Sequence, residues 1–531
     1  MNTEIEPDWY SLGHWRAENL WSSFSATAAG PGRNSTISDD NRTLSLPALL
    51  DRALRIAGGL RAEGLVAGDA VLVQSRNTID AYAALLACFS QGFVAVPLPP
   101  MFSALQLVAV GTSGGARALL LLEEGGAKTG AEILAGIPHL RVVFVNDPLP
   151  AGADLRMKPW GQCIAAAAIP PVAHHPDADA LLLYSSGSTG APKGVVHSGN
   201  SMRFAAEALS AFHRLSPEDR VLVALEFGFV GGTVLGAMAA FLTGSHTVLM
   251  RRWDPERCLA LVQDERITYT LLMPTHCYDV LNHPALDDYD CSSLSRAILA
   301  GATPELRRKA TGRFCGIPLP MYGMSESIAH CTCALDDPEE ARLTTDGRPI
   351  PGTEMRVLDE GGNQIAPGEI GRVFLRGPNR LRRYQARPEL TGEVIGGAGW
   401  FSTGDKARLS EGGYMTFIGR ASEVIRRGGV MIQPAEVEAA FHGLEGVTEV
   451  AVVGIPDERL GEKACVCILP KGAAPDMETI RSHLAQAGLP RYQWPEYLLV
   501  FSEFPRTPSL KVRRADLAKA ARERLHATPA A

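Results

Sequence analysis

The stretch Tyr184-Ser-Ser-Gly-Ser-Thr-Gly-Ala-Pro-Lys193-Gly follows an apolar run, Leu181-Leu-Leu, that predicts a buried strand. It combines three glycines with three serines, a threonine and a lysine. Glycines let backbone N–H groups approach a phosphate closely, the hydroxyls of Ser188 and Thr189 can donate hydrogen bonds, and Lys193 adds a positive charge. The stretch therefore predicts a loop that binds nucleotide phosphates. It is not a Walker loop, because a glycine follows the lysine where a Ser or Thr would bind magnesium.

Helices and strands alternate on both sides of this loop. Leu46 begins a helix with apolar residues at helical spacing and Ser45 as its N-cap, and a second helix covers residues 78–91. Short apolar runs predict strands at residues 71–73, 93–96, 118–122, 142–145, 181–183, 221–224 and 298–300. The alternation predicts an α/β fold with parallel-rich sheets and flanking helices. Ligands bind beyond the carboxyl ends of the strands in such sheets, so the loop is well placed.

The length of the chain and changes in its local composition predict the domain organisation. A chain of 531 residues is too long for one hydrophobic core. We expect a large N-terminal nucleotide- and acyl-binding domain, residues 1–420, that ends in a small β-rich subdomain, residues 347–420. Residues 421–531 predict a small α+β C-terminal domain. The elements expected there are helices at 436–441 and 477–487 and strands at 450–453, 464–468 and 498–501. Residues 30–41 and 528–531 are predicted to be disordered.

Composition narrows the function classes. The formal net charge is −7 and no basic stripe stands out, which argues against nucleic acid as a main partner. The acidic N-terminus lacks the apolar segment of a secretory signal, and no apolar run is long enough for an integral membrane protein. Ten scattered cysteines form no disulfide framework, and the close pairs Cys331–Cys333 and Cys465–Cys467 lack a second pair of metal ligands. We therefore expect reduced cysteines and a cytoplasmic location.

Further short motifs follow the phosphate loop along the chain. They are Met321-Tyr-Gly-Met-Ser-Glu326, Trp400-Phe-Ser-Thr-Gly-Asp405, Gly419-Arg420 with Gly428-Gly429 and Glu436-Val-Glu438, and Pro505-Arg-Thr-Pro-Ser-Leu-Lys511. In order and spacing this set resembles the core motifs of the adenylate-forming superfamily, which contains acyl-CoA synthetases, carrier-protein adenylation domains and luciferases. The resemblance covers residues 46–517. An ordered set of motifs is far more specific than any one of them.

The resemblance implies an enzyme that uses ATP and Mg²⁺ to convert a carboxylic acid into an acyl-adenylate and then transfers the acyl group to CoA. A carboxylate is a poor electrophile because its leaving group would be oxide, whereas AMP is a good leaving group. The enzyme has to align the carboxylate with the α-phosphate of ATP and neutralise charge there, for which magnesium and lysine are suited.

The resemblance also implies roles for individual residues. The nucleotide-binding residues would be Ser185, Ser186, Gly187, Ser188, Thr189, Lys193, Tyr322, Gly323, Asp405 and Arg420. Among them the loop would hold the β- and γ-phosphates, Tyr322 would lie against adenine, and Asp405 would accept hydrogen bonds from the ribose. Ser325 and Lys511 would act at the α-phosphate, and Glu326 would bind magnesium. In this family the C-terminal domain rotates between the half-reactions, which implies a mobile domain with Ser422 as its hinge and Gly428 and Gly429 beside the CoA arm.

The acyl group would lie between two segments. The residues that line it would be Phe227, Phe229, Val230, Gly231, Gly232, Gly301 and Ala302. These segments contain no charged residue except Glu226. The lack of other carboxylates argues against an amino-acid substrate, because a buried ammonium group needs a carboxylate partner, and Glu226 alone keeps that option open. Small residues beside two aromatic residues favour a bulky apolar acid that is cyclic, aromatic or medium-chain.

The chain departs from the family pattern at several positions. Leu510 precedes Lys511 where glycine is usual, Ser422 stands where the hinge is usually Asp or Lys, and no histidine occurs in residues 227–232. Leucine does not easily adopt a positive φ, so the lysine loop could differ in shape. Alternatives to a complete acyl-CoA ligase are therefore an enzyme that loads a carrier protein, a half-enzyme that makes the CoA thioester from a preformed acyl-adenylate, and a silent nucleotide-binding paralogue.

Overall fold

The computed structural model describes residues 5–185, 193–420, 423–427, 430–457, 460–507 and 511–527. They form two compact units. The first unit contains the described residues up to 355 together with Leu375–Ser402, and the second contains Arg356–Phe374 and the described residues from Thr403 onward. The predicted domain boundary after Arg420 stays a prediction.

The first part of the chain alternates helices and strands. In chain order these are α1 Leu20–Ala29, β1 Thr36–Ser38, β2 Thr43–Ser45, α2 Leu46–Ala62, β3 Ala70–Gln74, α3 Ile79–Gln91, β4 Val94–Leu98, α4 Ala104–Gly114, β5 Ala116–Leu121, α5 Gly126–Gly136, β6 Val142–Val145, β7 Met157–Pro159, α6 Trp160–Ile164, β8 Asp179–Ser185, β9 Lys193–Ser198, α7 Gly199–Phe212, β10 Arg220–Val223, α8 Val230–Gly232, α9 Ala239–Thr243, β11 His246–Leu249, α10 Pro255–Asp264, β12 Tyr269–Leu272, α11 Pro274–Leu281, β13 Arg296–Leu299, α12 Pro304–Ala310, β14 Ile317–Leu319, β15 Met321–Met324, β16 Ser327–Thr332, α13 Glu339–Thr344 and β17 Arg348–Pro349. A π-helical segment, Thr233–Met238, joins α8 to α9.

The rest of the chain is richer in strands. Its elements are β18 Glu354–Leu358, β19 Ile370–Arg376, β20 Arg383–Tyr384, α14 Pro388–Val394, β21 Phe401–Leu409, β22 Met415–Arg420, β23 Ile425–Arg427, β24 Val430–Ile432, α15 Pro434–Ala439, β25 Val447–Asp457, β26 Gly461–Pro470, α16 Met477–Gln486, β27 Tyr497–Val500 and α17 Arg514–Ala527. The predicted elements of this region are all present, with ends that differ by a few residues.

Large mixed sheets organise the first unit. Sheet I has the order β14-β13-β12-β10-β11-β1-β2, and its strands are parallel except for the β1–β2 pair. Sheet II has the order β20-β9-β8-β4-β3-β5-β6-β7. In sheet II, the neighbouring strands β8, β4, β3, β5, β6 and β7 are all parallel. Strand β9 is antiparallel to both of its neighbours, β8 and β20. The predicted α/β fold with parallel-rich sheets is confirmed.

Alternation along the strands separates the hydrophobic cores. Val71 and Val73 of β3 enter a core that also contains Val221 and Val223 of β10, so this core lies between the two sheets. Leu72 faces a second core under α4 and α5, and Leu222 faces a third core under α10 to α12. Helix α3 is buried on nearly all sides within the shared core, which explains its continuous apolar sequence.

The predicted helix starts are confirmed by their caps. The Ser45 side chain accepts a hydrogen bond from the backbone N–H of Ala48 at 3.3 Å, and Thr78 caps α3 through the N–H of Ala81 at 3.1 Å. Gly92 ends α3 in the left-handed conformation with φ 69°, which favours glycine. The next strand, β4, therefore starts close to its predicted position.

The prediction of disorder for residues 30–41 is wrong. Strand β1 lies in this segment and pairs in parallel with β11, with Ile37 opposite Thr247. Ile37 is buried in the core between the sheets. Its burial and the backbone hydrogen bonds at the sheet edge stabilise a segment whose polar, glycine-containing composition resembles a linker. Residues 528–531 lie outside the described residues.

The second unit contains a four-stranded sheet with the order β18-β19-β21-β22 and a sheet with the order β24-β23-β26-β25, in which β27 also pairs with β26. Helices α15 and α16 pack on one face of the latter sheet around Val452, Val466 and Ile480. Helix α17 packs on the opposite face through Leu517. This arrangement is the compact α+β unit that the sequence predicts.

All ten cysteines of the chain are buried and carry free thiols. Burial raises the pKa of the Cys88, Cys258 and Cys277 thiols well above the usual range. Within the described part of the chain, no helix is long and apolar enough to cross a membrane.

Candidate active site

The Ser325-Glu326 dipeptide forms the two-residue turn of the β15–β16 hairpin, since Met324 pairs with Ser327. Tyr322 lies in β15 opposite Cys331 and is buried. A side chain at Gly323 would place its Cβ 2.8 Å from the backbone nitrogen of Ala329. The hairpin therefore needs glycine at this position. It fixes the positions of Tyr322, Ser325 and Glu326 relative to one another.

Neighbouring segments hold the backbone of this turn on both sides. His197, in β9, donates from Nε2 to the carbonyl of Ser325 at 2.6 Å, and the N–H of Leu381 donates to the carbonyl of Glu326 at 2.7 Å. A carbonyl can only accept, so the proton of His197 lies on Nε2, and Nδ1 faces the Ser201 hydroxyl at 3.2 Å. Burial lowers the pKa of His197 to about 4. The ring is thus neutral at neutral pH.

A residue that sequence reasoning missed joins the turn to the phosphate-loop strands. The hydroxyl of Tyr384 donates to Oε1 of Glu326 at 2.8 Å. The ammonium of Lys193 lies 5.9 Å from the centre of the Tyr384 ring, within the range of a cation–π contact. Strand β20 brings Tyr384 there, because it pairs with β9 and places Tyr384 opposite Val195. The structure therefore brings Lys193 and Glu326 to either side of one tyrosine.

The phosphate loop is flanked by an antiparallel pair, since Ser185 at the end of β8 is opposite Lys193 at the start of β9. Gly194 fits closely there, because an added Cβ would lie 2.9 Å from the side chains of Gln385 and Leu182. Residues 186–192 lie outside the described residues. The assignments of Ser186, Gly187, Ser188 and Thr189 to the phosphates therefore stay predictions.

Asp405 and Arg420 are in the second unit and are directly opposite each other in the β21–β22 pair. Nε of Arg420 lies 2.9 Å from Oδ1 of Asp405, whose side chain is 2% exposed. The N–H of Asp405 donates to Oγ1 of Thr403 at 3.0 Å, and Nη1 of Arg420 donates to the carbonyl of Thr403 at 3.3 Å. The carboxylate is thus held in place as a hydrogen-bond acceptor beside a half-exposed guanidinium.

Lys511, also in the second unit, is exposed and closes a short turn. Its N–H donates to Oγ1 of Thr507 at 3.1 Å, and its carbonyl accepts from the N–H of Thr507 at 2.8 Å. The hinge residue Ser422, the predicted CoA-binding residues Gly428 and Gly429, and Leu510 lie outside the described residues. Their roles stay predictions.

The first predicted acyl segment follows β10. Phe227 is buried with its ring 5.6 Å from that of Tyr82, and its N–H donates to Oδ1 of Asn77 at 3.1 Å. Asn77 is fully buried and also donates to the carbonyl of Leu225 at 2.8 Å, so its side chain fixes this segment. Phe229 and Val230 are half-buried and precede the π-helical segment, a feature that often occurs at functional sites.

Close packing explains why glycine occurs at positions 231 and 232 of this segment. A Cβ at Gly232 would lie 2.3 Å from the carbonyl oxygen of Glu226, and one at Gly231 would lie 2.5 Å from the Leu225 side chain. The second predicted segment follows β13, where Gly301 has a φ of 65° and Ala302 is buried. Strands β10 and β13 are parallel members of sheet I, so both acyl segments leave the same edge of that sheet.

Glu226 is the charged residue of the acyl segment, and it is partly buried. Its Oε2 atom is buried and has no hydrogen-bond partner among the described residues. Burial raises its pKa, while the nearby charge of Arg76 acts in the opposite direction. Its unpaired oxygen makes Glu226 the group of this segment that could act as counter-ion to a substrate ammonium group.

Comparison with known proteins finds two family models that match the chain. The model of the AMP-binding enzyme family matches residues 24–385, and the model of the AMP-binding enzyme C-terminal domain matches residues 436–511. The chain is 30% identical to a medium-chain fatty-acid–CoA ligase of Escherichia coli, over 99% of this chain and 94% of the relative. It is 31% identical to a feruloyl-CoA synthase of an Amycolatopsis species, over 95% of this chain and 98% of the relative.

A similar fold occurs among solved structures. The ATP-bound crystal structure of MatB from Rhodopseudomonas palustris superposes with a TM-score of 0.86 and covers 96% of this chain and 99% of its own. The sequences are 24% identical, so this likeness concerns the fold.

Proposed function

We propose that this chain activates a hydrophobic carboxylic acid and transfers the acyl group to CoA. The premise is that the chain belongs to the AMP-binding enzyme family and is an adenylate-forming, AMP-producing acid–thiol ligase. The observation that carries the proposal is the meeting of Lys193 and Glu326 at Tyr384, next to the strands that flank the phosphate loop. A cation and a carboxylate held at this place suit a nucleoside triphosphate that binds together with magnesium.

The proposed reaction has two steps. An oxygen of the substrate carboxylate attacks the α-phosphorus of ATP, a new P–O bond forms, and pyrophosphate leaves with its bonding electrons. The CoA thiolate then attacks the acyl carbon, the C–S bond forms, and AMP leaves. Lys193 stabilises the charge on the departing pyrophosphate, and Lys511 stabilises the α-phosphate and orients the carboxylate. Asp405 accepts hydrogen bonds from the ribose hydroxyls, and Arg420 supports it.

Glu326 fits the role of a magnesium ligand. No group of three or more His, Cys, Asp or Glu side chains in the described ranges could hold a metal. Magnesium commonly binds through one or two carboxylates together with substrate phosphates and water, so a single fixed carboxylate is sufficient. When bound, the ion would neutralise phosphate charge.

The substrate class rests on the acyl segments. Phe229 and Val230 are half-buried, and the adjoining positions are small or apolar. Glu226 is the one charged residue next to the first segment, and the other positions offer no carboxylate for a substrate ammonium group, which favours an acid without one. A cyclic, aromatic or medium-chain acid matches this lining, and the names of the medium-chain and feruloyl relatives support the same range.

Acid-dependent pyrophosphate release tests the proposal. The enzyme is incubated with ATP, Mg²⁺ and CoA and a panel of cyclic, aromatic, medium-chain and amino acids, and acyl-CoA is followed by mass spectrometry. We expect release with one apolar class and a loss of about 10²-fold or more in Lys511→Ala. Lys519→Ala, an exposed lysine of α17, is the matched control and should retain activity. Equal release with every acid, or with none, would contradict the proposal.

The sequence departures support a second candidate, a half-enzyme that acts on preformed acyl-adenylates. In that case Leu510→Gly should increase pyrophosphate release while leaving thioester formation from a synthetic acyl-adenylate unchanged. Full activity of the unmodified enzyme from free acid would exclude this candidate. Replacing CoA with a holo-carrier protein in the same assay tests the third candidate, a carrier-loading enzyme, for which the carrier would be the better acceptor.

A further inference from the structure

Tyr384 contacts both Lys193, which is assigned to the phosphates, and Glu326, which is assigned to magnesium, and none of the motifs quoted above includes it. Its hydroxyl lies 2.8 Å from Oε1 of Glu326, and its ring centre lies 5.9 Å from the ammonium of Lys193. The side chain is buried in the first unit, with the residue 5% exposed. One buried side chain therefore contacts a carboxylate through its polar end and an ammonium through its face.

The backbone around Tyr384 is fixed from several sides. Its N–H donates to Oγ1 of Thr391 at 3.0 Å, and the next residue, Gln385, donates its N–H to the carbonyl of Gly194 at 2.8 Å. Because β20 pairs with β9, the position of Tyr384 is set by the same strand that begins with Lys193. The backbone of Tyr384 is thus held in one position between strand β9 and the hairpin turn.

The Glu326 side chain needs a contact that restricts its conformation. The turn backbone is held through the carbonyls of Ser325 and Glu326, but a glutamate side chain keeps several rotatable bonds and loses considerable entropy when it is ordered. The Tyr384 hydroxyl occupies Oε1, while none of the described residues donates to Oε2. The hydrogen bond therefore selects one rotamer and leaves one oxygen for a cation.

We propose that Tyr384 is the positioning residue that holds the Glu326 carboxylate ready for the metal–nucleotide complex and at the same time confines the Lys193 ammonium. This inference rests on the proposed function only in taking ATP with a divalent cation as the ligand. The hydroxyl donates a hydrogen bond to the carboxylate, and the face of the ring contacts the ammonium. The two roles can be separated by substitution.

The test measures ATP binding without acid or CoA, by titration calorimetry, first with EDTA and then with Mg²⁺. The ratio of the two dissociation constants reports the metal-dependent gain. In Tyr384→Phe the ring remains and the hydroxyl is lost, so metal-free affinity should be unchanged and the metal-dependent gain should fall about tenfold or more. In Tyr384→Leu metal-free affinity should also fall, because the Lys193 contact is lost.

Tyr10→Phe is the matched control, because the Tyr10 hydroxyl also donates to a carboxylate, that of Asp177, at 2.6 Å. It should leave both constants unchanged. A double-mutant cycle with Glu326→Gln adds a second requirement: in that background Tyr384→Phe should have no further effect on the metal-dependent gain. An equal loss with and without Mg²⁺, an unchanged gain, or additive effects in the cycle would overturn the proposal.

If Tyr384→Phe does not fold, 4-methylphenylalanine at position 384 keeps the ring and fills the volume of the hydroxyl but donates no hydrogen bond. The metal-dependent gain should then fall about tenfold or more, and an unchanged gain would overturn the proposal. Because these experiments use neither acid nor CoA, they stand apart from the substrate test. Failure of acid-dependent pyrophosphate release would leave the role of Tyr384 measurable.

Discussion

Replacing His197 with leucine should reduce stability at pH 7 but not at pH 5. In the native protein the neutral ring donates to the carbonyl of Ser325 at 2.6 Å, inside the first unit. His197→Leu has a similar volume and leaves that carbonyl without its donor, which costs about 2 kcal/mol of unfolding free energy at pH 7. The hydrogen bond also anchors the turn that carries Glu326, so activity should fall as well.

The pH dependence follows from the direction of the pKa shift. The pKa of His197 is lowered to about 4 in the folded protein from 6.5, mainly by burial and further by the charge of Arg380. The unfolded chain therefore binds the proton first as the pH falls, and the contribution of the neutral ring is complete above pH 6.5 and lost toward pH 4. At pH 5 the linkage removes about 2 kcal/mol from the native protein relative to pH 7.

Leucine does not titrate, so this loss is absent in the variant, and the two proteins should be about equally stable at pH 5. Urea unfolding at both pH values, followed by tryptophan fluorescence, measures the difference in the first unit, which contains all tryptophans except Trp494. His175→Leu, at a position whose side chain is 73% exposed, should show no such change. A difference between native protein and His197→Leu that is the same at pH 5 and pH 7 would refute the assignment of His197 as a neutral donor.

Three other substitutions test separate parts of the site. Gly232→Ala would place a Cβ 2.3 Å from backbone oxygens and should destabilise the protein by about 1–3 kcal/mol in urea unfolding, whereas Gly161→Ala, with open space around it, should not. Asp405→Asn should weaken ATP binding about tenfold and reduce the preference for ATP over 2′-deoxy-ATP in calorimetric titrations, while the ion-paired Asp457→Asn should change neither. Asn77→Ala removes the amide that fixes residues 225 and 227 and should raise KM for the acid more than KM for ATP; an equal rise in both would contradict the role given to Asn77.

Local chemistry made much of the fold predictable. The Ser45 and Thr78 caps, the apolar runs of β3 to β6 and the helical spacing after Leu46 all reflect interactions between residues close in sequence. The fully buried helix α3 was recognisable because it is long for a strand and ends at a glycine. The short strand at Ile37 was missed, since three residues at a sheet edge give too little periodicity.

The site was predictable only as separate motifs. Glu326 and Lys193 could be assigned by resemblance, but their meeting at Tyr384 depends on the β20–β9 pairing, which joins residues far apart in the chain. Tyr384 stands alone after two arginines, a pattern that carries no periodic signal. The tautomer of His197 likewise depends on a carbonyl 128 positions away. Register between distant strands is set by tertiary packing, so single-sequence patterns do not reveal it.

The burial of every native thiol makes this protein a ready background for site-specific labelling. Maleimides react with exposed thiolates, and buried thiols with raised pKa values such as those of Cys88 and Cys258 react slowly. One cysteine introduced on the surface of each unit would therefore take a fluorophore without removing any of the ten natural residues. Energy transfer between two such dyes, recorded with ATP, acid and CoA added in turn, would follow the predicted rotation about Ser422 directly in solution.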